Sequence, residues 1–248
     1  GGLPSDPDAA EHKVYKLRRV YADTLVRNAE LADYNAGALP DGADTVTVQG
    51  DGTLNILGDQ MTWCVYNEAD STKKADSGEN SGHTGPMGVE VQQTVFAFSR
   101  LGALGQTVFL RFRLINQGSN QIDSMFVSVW SDPDLGEFTD DLVGCDVPLS
   151  LGFVYNSTND AGTYGTAPPS VGYDFFKGPT GYTGAELGLT SFNKYSNEQG
   201  GDPDQFSQVY NFQRGLNRDG TTVINPVNGL PTTFVVSGDP VSASGWLD

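Results

Sequence analysis

Residues 106–130 read QTVFLRFRLINQGSNQIDSMFVSVW, and their alternation decides the fold class. Within 106–116, Val108, Leu110, Phe112 and Leu114 form one set, and Phe109, Arg111, Arg113 and Ile115 form the other. A period of two marks a strand, because successive side chains leave it on opposite faces. The first set carries no charge, so it is expected to face the core. Residues 116–120, NQGSN, read as a hairpin-type turn. The next strand is expected at 122–130, with Phe126 and Trp130 joining the same core. Upstream, 88–98 alternates Val89, Val91 and Val95 with Glu90, Gln92 and Thr94, and 61–66 is a further strand candidate. Strand, turn, strand and then an acidic loop is the pattern of a β-sandwich.

The flanks extend this reading. Residues 1–12 are a polar linker rich in Pro and Asp. Residues 13–25 mix β-branched and aromatic residues and read as a strand. Residues 33–59 are rich in Gly and Asp, with strand-like pieces at 45–48 and 54–57. Beyond the acidic loop, 149–155 and 232–236 are expected strands. Residues 201–206, GDPDQF, give one helix start, with Asp202 as cap, Pro203 in the first turn and Gly215 as a stop. The expected class is therefore all-β, a β-sandwich of Ig-like or jelly-roll-like kind with long loops and one short helix. A single domain over 13–248 is expected, interrupted by an insertion at about 156–220 and continuing beyond this piece, since 248 residues suit one large β-domain. The opening GGLPSDPD has the character of an interior linker.

Composition narrows the function classes. Thirty-one acidic residues against 14 basic give a net charge of −17. Phosphate binding needs a basic face, so nucleic acid is not an expected partner. No apolar run is long enough to span a membrane. Gly, at 31 residues, is roughly twice average usage and signals many turns. The two cysteines, Cys64 and Cys145, have no zinc-type spacing. They form either one disulfide or two buried thiols.

Residues 130–146, WSDPDLGEFTDDLVGCD, hold five carboxylates: Asp132, Asp134, Asp140, Asp141 and Asp146. Carboxylates that close repel unless a cation lies between them, and basic residues are scarce nearby. Ca²⁺ is the hard cation that accepts six to eight oxygens from an irregular loop. The loop is not an EF-hand, because its glycine spacing and its flanks differ. Calcium at these five residues is the expected cofactor, with turn capping as the alternative use of the same side chains. Asn67, Glu68 and Asp70 form a second acidic turn that could add ligands if Cys64 and Cys145 pair.

Catalytic signals are weak. His12 and His83 are the only histidines, and neither stands in a triad or HExxH context. A glycosidase pair would draw on Glu68, Glu90, Glu137 or Glu186. Trp63, Tyr164, Tyr173 and Tyr182 are candidates for an exposed ligand platform, with a glycan as the ligand. Residues 156–158 form an N-glycosylation sequon. Asp23-Thr-Leu25, Asp44-Thr-Val46, Asp70-Ser-Thr72 and Asp123-Ser-Met125 match the short triplet of bacterial periplasmic O-glycosylation.

Several phrases together resemble one family. They are LGDQMTWCVYN (57–67), GVEVQQT (88–94), the 130–146 loop with LSLG (149–152), YGTAPP (164–169) with GYDFF (172–176), and SGDPV (237–241) with GWLD (245–248). They resemble the large secreted bacterial proteins that carry a type IX secretion sorting domain at their far C-terminus, and the resemblance spans roughly 13 to 248. It implies export to the cell surface or medium, and a chain that is an internal β-rich piece of a longer polypeptide. The function expected is a secreted or cell-surface module without turnover chemistry, stabilised by calcium, in a structural, adhesive or assembly role. It would pair with itself or with neighbouring β-modules. The alternative is a glycan- or protein-binding accessory domain of an extracellular hydrolase.

Overall fold

The structure, a computed structural model, describes residues 13–37, 43–69, 85–160, 162–181, 183–196 and 201–248. The chain is mostly β, with nine strands in antiparallel sheets and two short α-helices among the described residues. It divides into two compact units. Described residues up to 121 make the first and those from 122 onward make the second.

The first unit is a four-stranded sheet in the order β1 (Tyr15–Arg18), β2 (Gln60–Asn67), β3 (Val89–Ala97), β4 (Val108–Asn116). Helix α1 (Thr24–Gly37) packs on β1. The strand expected at 13–25 therefore stops at Arg18, and its C-terminal end is helix. The cause is local. The Asp23 carboxylate accepts the backbone N–H of Leu25 at 2.8 Å, which caps the helix start. Ala29, Leu31 and Ala32 then favour the helix. The triplet Asp23-Thr-Leu25 is thus a helix cap. Tyr34 is fully buried, and its hydroxyl donates to the Asp44 carbonyl at 2.9 Å. Gly37 ends the helix against Tyr15, where a Cβ would lie 1.8 Å from the hydroxyl oxygen, so no larger residue fits.

The core of this unit joins Tyr15, Leu17, Tyr34, Val46, Leu54, Ile56, Met61 and Trp63. Strand register explains which face of β4 looks toward it. Trp63 pairs with Thr94 and Thr94 with Arg111, while Met61 pairs with Phe96 and Phe96 with Phe109. The core-side set on β4 is therefore Phe109, Arg111, Arg113 and Ile115, the reverse of the expectation. The arginine is accommodated because Arg111 pairs with the Asp44 carboxylate, and Phe109 stacks on Phe96 at 5.0 Å. Val108, Leu110, Phe112 and Leu114 lie exposed on the opposite face, Leu110 at 55%. Their lack of charge misled because this sheet is apolar on both faces.

The second unit holds a three-stranded sheet, β5 (Asp141–Asp146), β6 (Leu151–Asn156), β7 (Ser170–Asp174), and a two-stranded pair, β8 (Val223–Ile224) with β9 (Pro231–Thr232). Helix α2 (Phe206–Gln213) stands between them in sequence. Its cap is Gln205 rather than Asp202, through a reciprocal capping box with Gln208. Gly215 follows the helix with φ +72°, as expected of its stop. The run 156–220 is more than an interruption, because β7 within it pairs with β6. The strand expected at 232–236 is reduced to β9 and one parallel bridge, Phe192 to Phe234.

Residues 122–130 form no strand. They run beside α2: the Tyr210 hydroxyl donates to the Ser124 carbonyl at 2.9 Å, and Phe126 meets the Tyr210 ring edge-on at 5.6 Å. Phe126 and Trp130, expected in the core, are exposed, Trp130 at 56%. No helix among the described residues is long and apolar enough to cross a membrane.

Both cysteines carry free thiols. Cys64 is half-buried in β2. Cys145 is buried in β5, where its Sγ lies 3.4 Å from the Val235 carbonyl. The bond weighed from sequence is not formed in the structure. Burial, and then the nearby Asp146 carboxylate, push the Cys145 thiol up to about 12. The native chain at pH 8 is therefore expected to leave Cys145 unlabelled by Ellman's reagent, and the unfolded chain to yield two thiols. A yield of none after unfolding without reductant would contradict the free-thiol arrangement.

Candidate functional site

The acidic loop leads into β5, and β5 pairs with β6 so that Asp141 stands opposite Asn156. This register brings the start of one strand and the end of its neighbour to a single point. The Asn156 Nδ2 lies 2.8 Å from the Leu135 carbonyl, 3.1 Å from Asp140 Oδ1 and 3.2 Å from Asp141 Oδ1. An amide nitrogen has two hydrogens, so three oxygens converge on two donors. Asp141 Oδ2 accepts the Leu135 N–H at 2.9 Å. Asp140 Oδ2 accepts the Thr158 hydroxyl, and the Asp140 carbonyl accepts the Ser157 N–H at 2.8 Å. The Thr158 bond first, and the Asn156 bond second, hold the Asp140 carboxyl below its ordinary value.

Two buried oxygens at this end of the sheet have no hydrogen-bond partner: Asn156 Oδ1 and Asp160 Oδ2. Asp160 is only 7% exposed. Its Oδ1 accepts the Thr163 N–H at 3.1 Å, and its carbonyl accepts the Tyr164 N–H at 2.9 Å. Its Oδ2 points at Gly136 of the acidic loop, where a Cβ would come within 1.7 Å of it. Gly136 has φ +89°, so both conformation and space call for glycine there.

The expected five-carboxylate shell is not assembled. Asp141 and Asp146 stand at opposite ends of β5, about 16 Å apart at the usual strand rise. Asp146 instead accepts the Leu149 N–H at 3.1 Å, as a turn cap. Asp132 and Asp134 are exposed. Among the described residues, no three Asp, Glu, His or Cys side chains group in a way that would hold a metal. What converges is mixed: Asp140 and Asp141 with an asparagine and a main-chain carbonyl, and Asp160 behind the same loop. Asn156 is also the acceptor residue of the sequon. Its side-chain nitrogen and the Thr158 hydroxyl are both engaged, so in the folded chain the sequon is not free for modification.

The second acidic turn works as a strand cap. Glu68 Oε1 accepts the N–H groups of Gly88 at 2.5 Å and Val89 at 3.1 Å, and Asn67 Oδ1 accepts that of Ala69 at 2.9 Å. Asp70 lies outside the described residues. The other carboxylates weighed for catalysis have structural partners too. Glu90 accepts from Gln92 and Gln117, Glu137 caps Thr139, and Glu186 pairs with Lys177 at 3.4 Å. His12 and His83 lie outside the described residues.

The expected aromatic platform loses its tryptophan. Trp63 is 3% exposed and belongs to the core of the first unit, because its position in β2 faces Tyr15 and α1. Tyr164 is exposed. Tyr173 is half-buried, with its hydroxyl bonded to Ser131, and Tyr182 lies outside the described residues. Comparison with protein-family models, with curated proteins and with solved structures finds no match to this chain.

Proposed function

We propose that this chain is a non-catalytic, calcium-stabilised structural or adhesive β-module of a secreted or cell-surface protein. The observation that carries the proposal is the end of β5 and β6, where oxygens crowd one amide and two buried oxygens lack partners. A calcium ion there would draw on Asp140, Asp141 and the Leu135 carbonyl, with Asn156 Oδ1 joining them once the amide turns over to exchange Nδ2 for Oδ1. Hard oxygen donors of mixed side-chain and main-chain origin suit Ca²⁺. The ion would replace repulsion and unmet hydrogen bonds by coordination, and would tie the acidic loop to the sheet.

The exposed apolar face of β4 supports the finer fold reading, a sandwich in which a second layer covers Leu110, Phe112 and Leu114. The outer edge of β4, nine residues without Pro or Gly, suits strand addition by a second copy or a neighbouring β-module. The likeness of several phrases to type IX-secreted proteins is consistent with an extracellular setting, where millimolar-affinity calcium sites are useful. An accessory domain that binds glycan or protein for a hydrolase is the alternative. A screen against glycans, peptides and esters is expected to show no turnover. Hydrolysis abolished by Glu90→Gln or Glu137→Gln would replace this reading by a hydrolase.

A further inference from the structure

The Asn156 amide meets the Leu135 carbonyl, Asp140 Oδ1 and Asp141 Oδ1 through its nitrogen, and leaves its own oxygen buried without a donor. We propose that this amide is a two-position latch for the calcium site. With no ion, its nitrogen holds the three oxygens together in the ion's stead. On binding, it turns over and hands them to the ion. The latch rests on the calcium reading and adds to it how the site is kept while the ion is absent.

The ion-free chain requires the nitrogen-in position. An amide nitrogen brings two hydrogens of partial positive charge, whereas the amide oxygen brings only lone pairs. Turned over with no ion, Oδ1 would stand where Nδ2 stands, 2.8–3.2 Å from three other oxygens, two of them on carboxylates. Neither a hydrogen nor a cation would lie between them. The orphaned Oδ1 is the smaller penalty, so the amide accepts it. A cation on the three oxygens reverses the preference, because it attracts Oδ1 and repels the amide hydrogens.

Only the amide has to move. Each carboxylate gives it one oxygen and keeps the other on a separate donor. Asp141 Oδ2 accepts the Leu135 N–H at 2.9 Å, and Asp140 Oδ2 accepts the Thr158 hydroxyl. The Asn156 backbone is fixed opposite Asp141 by the pairing of β5 with β6. A half-turn about the Cβ–Cγ bond therefore exchanges nitrogen for oxygen while strands and carboxylates stay in place. This torsion is broad and roughly two-fold in asparagine. At the same end of the sheet, Asp160 Oδ2 is a buried acceptor still without a donor.

The consequence is a site assembled before the ion arrives. Hydrogen bonds tie the acidic loop to the strand ends in the ion-free chain, and coordination ties them in the loaded one. Calcium then comes and goes without local unfolding. Preassembly lowers the ordering cost of binding, and the amide bonds given up keep the site reversible.

The test uses the isotope-labelled full chain. The Asn156 Nδ2 hydrogens are assigned by NMR from their loss in Asn156→Asp, and the Asn156 Cγ through them. Calcium is titrated to about 10 mM, enough to fill a site of millimolar affinity. Both Asn156 resonances are expected to shift saturably, with the midpoint of the heat of binding. The backbone N–H groups of β5 and β6 are expected to stay protected from hydrogen exchange in chelator. Asn156→Asp trades the donor for a charge. It is expected to melt below the wild type in chelator and to bind calcium tenfold or more tightly, since ligand charge raises affinity. If that variant does not fold even with calcium, the wild-type resonances decide alone. Heat of binding with the Asn156 resonances unmoved overturns the latch and leaves the calcium reading standing. So does loss of protection in chelator, or an Asn156→Asp chain that melts with the wild type there or binds calcium more weakly. No heat of binding at all removes the latch and the calcium reading together.

Discussion

Trp63→Ala is expected to destabilise the first unit by about 3–5 kcal/mol, the range for removing a large aromatic side chain from a packed core. Trp63 is 3% exposed, with its ring 6.2 Å from that of Tyr15 and 6.3 Å from that of Tyr34. The three rings join β1, β2 and α1, so alanine would leave a hole bordered by all three elements. Tyr34 bridges to the Asp44 carbonyl and cannot move into that hole without giving up its hydrogen bond. Trp130→Ala is the control. That ring is 56% exposed, and its removal is expected to cost within about 0.5 kcal/mol. Urea unfolding followed by circular dichroism measures both. Equal costs for the two variants would show that the core is wrongly placed.

Calcium is expected to contribute stability of similar size. An ion bound only by the folded chain stabilises it by about 2.7 kcal/mol at a hundredfold excess over Kd. Excess chelator should remove that contribution and lower the melting temperature. Asn156→Ala should remove most of the response, because it takes away the side chain on which Asp140, Asp141 and the Leu135 carbonyl converge. Chelator melts of wild type and variant, side by side, check this. A wild-type curve unmoved by chelator would contradict it.

Much of the sheet architecture was legible in local patterns. Strands β2, β3, β4 and β6 fall close to their expected positions, and for β3 and β4 the signal was alternation, because a period of two needs no knowledge of partners. Helix α2 and its Gly215 stop were legible from turn and cap chemistry. Facing was not legible. Charge pointed to the wrong face of β4, because only the register sets Arg111 beside Thr94 on the core side, where its charge meets Asp44. Helix α1 was hidden for another reason: its N-terminal signal, Asp23, also fits a turn or a modification triplet, and Leu25 and Val26 suit a strand as well. At the candidate site, Asp140 and Asp141 were visible as a carboxylate pair. Asn156 was visible only as a sequon, and Asp160 as one more loop aspartate. Only pairing of β5 with β6 carries these residues to the same end of the sheet, across gaps in sequence that no local pattern spans. The same pairing carries Asp146 away.

That separation makes direct calcium titration by calorimetry the decisive measurement, on the wild type, Asp141→Asn and Asp146→Asn. The account predicts saturable binding by the wild type, at least tenfold weaker binding by Asp141→Asn, and unchanged affinity in Asp146→Asn. No binding by the wild type, or an equal loss in the two variants, would contradict it.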